Sequence, residues 1–192
     1  CIRDRIIALV LTMASSLILG MGLPTAAAYI LVATLTAPAL VTMGVDLMAA
    51  HMFVFYSAML SSITPPVALA AFAAAAISRE PPMRVAMISV KYGFVAFLLP
   101  YFFVLEPRLL LMGTLGEAIG VFLMAAIGIV TLACVLQGYA MGSLSWLMRT
   151  VLAAASLCLL MPEISLKIIG IAIILAILIA WKIGQTLKKD GA

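Results

Sequence analysis

In 192 residues the chain carries 67% hydrophobic and only 9% charged side chains, with a mean hydropathy of +1.32. A water-soluble domain carries about a quarter charged residues, so there is too little polar surface here to cover a globule, and lipid is the main solvent. The net charge of +4 comes from eleven Lys and Arg scattered between apolar runs; these read as topology signals, and no basic-aromatic surface is left over for nucleic acid.

The chain begins at Cys1, and no small-residue cleavage site follows a short apolar core, so we expect a piece of a longer protein whose upstream part is missing. Cys1, Cys134 and Cys158 are far apart, and the last two lie in apolar segments where a thiol behaves as a small hydrophobe. The one histidine, His51, has no Cys or His companion nearby and reads as an interfacial or packing residue rather than a ligand.

Ile6 to Leu19 is apolar but short, roughly 21 Å as a helix against a hydrocarbon core of roughly 30 Å. It ends in Gly20-Met21-Gly22-Leu23-Pro24-Thr25, where two glycines and a proline should interrupt the helix. Ala26 to about Thr36 is again apolar and short, with Pro38 after it and then the polar-tipped turn Gly44-Val45-Asp46. Two half-length helices around such a break predict a re-entrant hairpin; a single kinked span is the alternative.

Ala49 to Ile77 is long enough to cross, but its middle reads Ser61-Ser62-Ile63-Thr64-Pro65-Pro66. Proline removes a backbone donor and disfavours helix at the residue before it, so a double proline behind three hydroxyls should unwind the helix near mid-membrane. Freed carbonyls cannot face lipid, and the break must face protein or a watery cavity. Val67 to Ala76 is almost all alanine, a surface suited to close helix packing. After the polar loop Ser78–Arg84, spans are expected at Val85–Leu105, Leu115–Tyr139, Gly142–Met161 and Ile164–Trp181. Gly142–Met161 is marginal because Arg149 shortens its apolar part. Lys182, Lys188 and Lys189 should be cytoplasmic, which puts Arg149, Arg84 and Arg79 on the same side and makes the broken helix start outside. Arg3 and Arg5 then sit outside as well, against the rule.

The two breaks carry the chemistry. Interrupted hydrophobic segments in a membrane protein point to a transporter binding site. A helix that stops at depth presents bare carbonyls suited to Na⁺, and the half-helix that follows presents bare N–H groups suited to a carboxylate. Thr25, Ser61, Ser62 and Thr64 add neutral oxygens of the kind a hard cation takes. Neither break contains an acidic side chain. Each element also has a plainer reading: Gly-x-Gly-x-Pro as a packing kink, and the hydroxyls as caps for backbone carbonyls. Asp46, Lys91, Glu117 and Arg149 fall near expected membrane edges and read as anchors.

The runs Gly20-Met21-Gly22-Leu23-Pro24-Thr25, Met43-Gly44-Val45-Asp46 and Ser62-Ile63-Thr64-Pro65-Pro66-Val67 resemble the large membrane subunit of TRAP (tripartite ATP-independent periplasmic) transporters over about residues 1–105. Ile-Thr-Pro-Pro-Val in a broken helix is the most specific part. The resemblance implies an all-α, polytopic transmembrane protein. Residues 1–105 would be the second inverted repeat of an elevator-type transport domain, with a re-entrant hairpin and a broken helix. Residues 106–192 would add scaffold or interface helices. It implies a Na⁺-driven importer of organic acids that takes substrate from a separate periplasmic binding protein, in the cytoplasmic (inner) membrane of a bacterium or archaeon. The upstream part of the same permease would be a further partner, and no enzymatic activity or cofactor beyond the coupling ion is expected. Carried over, Gly20, Gly22, Pro24 and Thr25 at the hairpin tip and Ser61, Ser62, Thr64 and Pro65 at the break line the substrate site, with Gly20, Gly22, Ser62 and Thr64 nearest Na⁺. The chain departs from the common pattern at Pro24-Thr25, where many members carry Asp, and at Ala68, where a Gly follows Pro-Pro-Val. Its tail, including Leu136-Gln137-Gly138-Tyr139, resembles the fused permeases that partner TAXI-type binding proteins.

Two other classes compete. An intramembrane enzyme would need paired aspartates, Ser with His, or a zinc motif at depth, none of which the sequence offers. A channel or structural assembly subunit would favour a continuous polar lining, whereas polarity here is confined to the two breaks.

Overall fold

A computed structural model describes residues 2–140 and 142–190, with the side chains of 2–4, 143, 178 and 180–190 outside the description. The charged side chains of Arg3, Lys182, Lys188 and Lys189 therefore lie outside the description. The chain folds as a multi-pass, all-helical membrane protein. Three helices among the described residues, Thr25–Thr42, Pro82–Leu105 and Leu115–Gln137, are long and apolar enough to cross a bilayer. The sole β-structure among the described residues is a pairing of Tyr139–Ala140 with Gly142–Ser143. Cys134 and Cys158 are free thiols. The chain divides into two compact units, the residues up to Met112 and those from Gly113 on.

The first unit opens with a helical hairpin, α1 (Ile2–Gly20) and α2 (Thr25–Thr42). Both arms are longer than expected, 19 and 18 residues, or about 28 Å each. The second arm does not stop near Thr36, because Pro38 is accommodated inside the helix. Its neighbours Ala37 and Leu40 are each only 1% exposed, so packing holds the helix through the lost hydrogen bond, as membrane helices commonly do. The arm ends in a Schellman turn: Val45 N–H donates to the Leu40 carbonyl and Gly44 N–H to that of Val41, with Gly44 at φ +82°. Arg5 closes the base of the hairpin by donating from Nη2 to the Gly44 carbonyl at 2.6 Å. This bond gives Arg5 a local role, as a cation on the C-terminal end of α2.

Asp46 caps α3 (Leu47–Leu60), accepting from the N–H groups of Met48 and Ala49. A 3₁₀ turn (Ser61–Ile63) and the Thr64–Ala68 stretch, with a cis bond between Pro65 and Pro66, then separate α3 from α4 (Leu69–Ser78). Arg79 ends α4 in the left-handed region, and α5 (Pro82–Leu105) starts on a proline suited to a first helical turn. One buried cluster joins the hairpin to α3 and α5 through Leu9, Val32, Leu40, Phe53 and Val104. The turn Pro107–Leu110 packs within the first unit. Leu110 packs against this cluster, and Arg108 pairs with the buried Glu106 carboxylate.

The second unit holds α6 (Leu115–Gln137), α7 (Trp146–Leu160) and α8 (Ile164–Asp190). Thr114 caps α6 by accepting from the Glu117 N–H, and Ser145 caps α7. Gly138 closes α6 at φ +73°, where the Arg149 guanidinium reaches back to the Val135 and Leu136 carbonyls at 3.0 and 3.4 Å. Arg149 thus caps the C-terminal end of α6. α7 packs against both α6 and α8 at close range: a Cβ on Gly128 would meet Leu160, and one on Gly170 would lie 2.8 Å from the Ala155 carbonyl.

Candidate functional site

The hairpin tip and the broken helix meet inside the first unit. Gly20, the last residue of α1, is buried against Ser61, the first residue of the 3₁₀ turn; a Cβ there would lie 2.6 Å from Ser61 Oγ and 3.0 Å from Ser61 Cβ. Gly22 adopts φ +78°, and a Cβ on it would lie 3.5 Å from the Val67 side chain. The two contacts pair like with like. Gly20 on Ser61 brings together the C-terminal ends of α1 and α3, where carbonyls run out of helical partners. Gly22 on Val67 lies beside the N-terminal ends of α2 and α4, where N–H groups do. Neither Pro24, ahead of α2, nor Ala68, ahead of α4, offers a side-chain cap to those N–H groups.

All three hydroxyls of the break donate to the preceding turn. Ser61 Oγ reaches the Ala58 carbonyl at 2.6 Å, Ser62 Oγ that of Met59 at 2.7 Å, and Thr64 Oγ1 that of Leu60 at 2.7 Å. They cap backbone, as the plainer sequence reading had it, and each keeps oxygen lone pairs for a second partner. Ser61 is fully buried, Ser62, Thr64 and Pro65 are half-buried, and Gly22, Pro24 and Thr25 are exposed. Among the described residues no group of three or more His, Cys, Asp or Glu could hold a metal ion. A cation at this junction would rest on carbonyls and hydroxyls.

Two further residues adjoin the junction. Gly93 of α5 lies against the break, with a Cβ there 3.1 Å from Ile63 Cδ1. The glycine is unremarkable in sequence, and a tertiary approach alone singles it out. Val67 was quoted within the motif but assigned no role; its closeness to Gly22 gives it one. His51 is a packing residue with a specific partner: the Tyr29 hydroxyl stands 3.0 Å from its Nδ1.

Against known proteins, the family described as "Tripartite ATP-independent periplasmic transporter, DctM component" matches residues 2–118. The chain belongs to that family. The match covers the whole of the first unit beyond Cys1 and the start of α6, so the hairpin and the broken helix are the family's own parts. Searches of curated proteins and of solved structures returned no match. As a member of that family, this chain is a TRAP transporter permease component.

Proposed function

We propose that the first unit is the C-terminal repeat of a Na⁺-driven, binding-protein-dependent importer of organic acids in the cytoplasmic membrane, and that Na⁺ and substrate meet at the hairpin–break junction. The observation that carries this reading is the seating of Gly20 on Ser61. It joins two helix C-termini at one point, and the neighbouring Gly22–Val67 contact adjoins two helix N-termini that have no side-chain cap. Partial negative charge gathers at the first pair of ends and partial positive charge at the second. The first suits a hard cation, held by carbonyls with the spare lone pairs of Ser62 and Thr64; the second suits a carboxylate, with Pro24, Thr25 and Pro65 shaping its walls.

In this reading the hairpin is re-entrant, with its tip at depth and its base at Arg5 and Gly44 facing the periplasm. The upstream half of the permease supplies the matching hairpin and break. Na⁺ draws the two C-termini together, which orders the tip and prepares the N-termini for the organic acid. The ligands are then positively coupled, typically by about 1–3 kcal/mol, or roughly 5- to 150-fold in affinity.

The test is uptake by the full-length permease in proteoliposomes, with its binding protein, against Na⁺ concentration. Thr64→Val keeps the side-chain shape and removes the oxygen. It should raise the Na⁺ concentration for half-maximal uptake and change the maximal rate less. A folded Thr64→Val protein with an unmoved Na⁺ curve would leave the hydroxyl as a backbone cap only. Flux that does not saturate, or that needs neither Na⁺ nor a binding protein, would replace this reading with that of a channel.

A further inference from the structure

The hairpin and the broken helix are held together by contacts of very different character. α2 and α3 share one buried apolar cluster, Val32, Ala33, Ala37 and Leu40 on one helix with Ala49, Ala50, Phe53 and Val54 on the other. The tight turn through Gly44 and Asp46 ties the two helices at the hairpin base, but toward the tip apolar contact, being non-directional, holds their relative position less firmly. At the tip, no hydrogen bond among the described residues joins Gly20–Thr25 to Ser61–Val67; Gly20 and Gly22 rest there by shape alone. A single side-chain hydrogen bond among the described residues crosses from the hairpin helices to α3, the one between Tyr29 and His51.

Its position gives it leverage. Tyr29 lies one turn into α2 from Thr25, and His51 lies one turn into α3. The Tyr29 ring also stands edge-on to Phe55, 5.6 Å between centroids at 82°, which steadies the phenol whichever partner carries the shared proton. The two ends of the bond ride on helices that border the junction, α2 beginning just past the tip and α3 ending at the break. A slip of α2 along α3 therefore shifts the tip against the break.

We propose that Tyr29 and His51 are a positioning pair: their hydrogen bond sets the register of the hairpin on the broken helix and thereby the fit of the tip to the break, without touching ion or substrate. The consequence for uptake rests on the Na⁺-driven reading above; the consequence for geometry does not. Tyr29→Phe removes only the hydroxyl. His51→Ala removes the partner atom. His51→Asn keeps an acceptor at the δ position and is the conservative rescue.

The experiment uses the full-length permease, spin-labelled at cysteines introduced at Ala26 and Ala70, both exposed and just past the tip and the break. Tyr29→Phe and His51→Ala should each shift or broaden the label–label distance distribution. His51→Asn should retain the wild-type distribution, and the double variant should add nothing to either single one. In proteoliposomes the same variants should raise the half-maximal Na⁺ concentration about threefold, and at most about twentyfold, the range set by single hydrogen bonds between membrane helices. The rate at saturating Na⁺ should hold. A folded Tyr29→Phe protein with wild-type distances overturns the inference, as do single variants whose effects add. Distances that respond in a permease whose uptake ignores Na⁺ would keep the positioning pair and discard Na⁺ coupling.

Discussion

Replacing Gly20 with alanine tests the junction directly. The added Cβ would lie 2.6 Å from Ser61 Oγ, 3.0 Å from Ser61 Cβ and 3.5 Å from the Ala58 carbonyl. The first clash can be relieved by rotating the serine, but Ser61 is 1% exposed and its hydroxyl is already committed to Ala58 at 2.6 Å. Rotation gives up that bond, worth about 0.5–1.5 kcal/mol, and leaves the contact to Ser61 Cβ in place. The remaining strain must separate α1 from the 3₁₀ turn, so the whole change should cost about 1–3 kcal/mol, the usual range for overpacking a close-fitted interior. Thermal melting of the purified full-length permease, followed by the fraction that stays monodisperse, measures it. Ser61→Gly removes both the hydroxyl and the Cβ and should recover most of the loss in the double variant, a coupling of about 0.5–3 kcal/mol. If Gly20→Ala melts with the wild type, or if Ser61→Gly fails to rescue it, the two helix ends do not meet as described.

Three further outcomes are expected. Arg149→Gln strips the guanidinium from the Val135 and Leu136 carbonyls and should lower melting stability by about 1–3 kcal/mol while leaving the Na⁺ dependence of uptake unchanged; an altered apparent Na⁺ affinity at normal protein levels would count against a purely structural role. Asp46→Ala removes the cap of α3 and should cost about 0.5–2 kcal/mol, with Asp46→Asn retaining most of it, read in the same melting assay. In the full-length protein, a cysteine at Asp46 should react with an impermeant reagent from the periplasm and one at Lys188 from the cytoplasm; reaction of both from one side would refute the orientation.

Much of this molecule was legible in one dimension because membranes restrict what a chain can do. Sixty-seven per cent apolar residues and repeated apolar runs dictate helices in lipid, since an unpaired backbone group there has no water to turn to. The breaks were legible for the same reason: Gly20-x-Gly22-x-Pro24 and Thr64-Pro65-Pro66 are sequences a helix cannot pass through undisturbed. Local rules did less well where packing outvoted them. Pro38 looked like a stop and lies inside a helix, because the buried surface around Ala37 and Leu40 outweighs one lost hydrogen bond. Arg149 read in sequence as a membrane-edge anchor, and the structure adds a specific contact, its guanidinium on the end of α6. Arg5, against the charge rule, finds its use at the Gly44 carbonyl. What remained invisible in sequence is which break touches which. Gly20 is separated from Ser61, Gly22 from Val67, Ile63 from Gly93 and Tyr29 from His51 by a loop or by whole helices, and no local pattern encodes such approaches. They follow from how close two helices can come. That distance is set by small residues on both surfaces at once, so only the folded chain decides it.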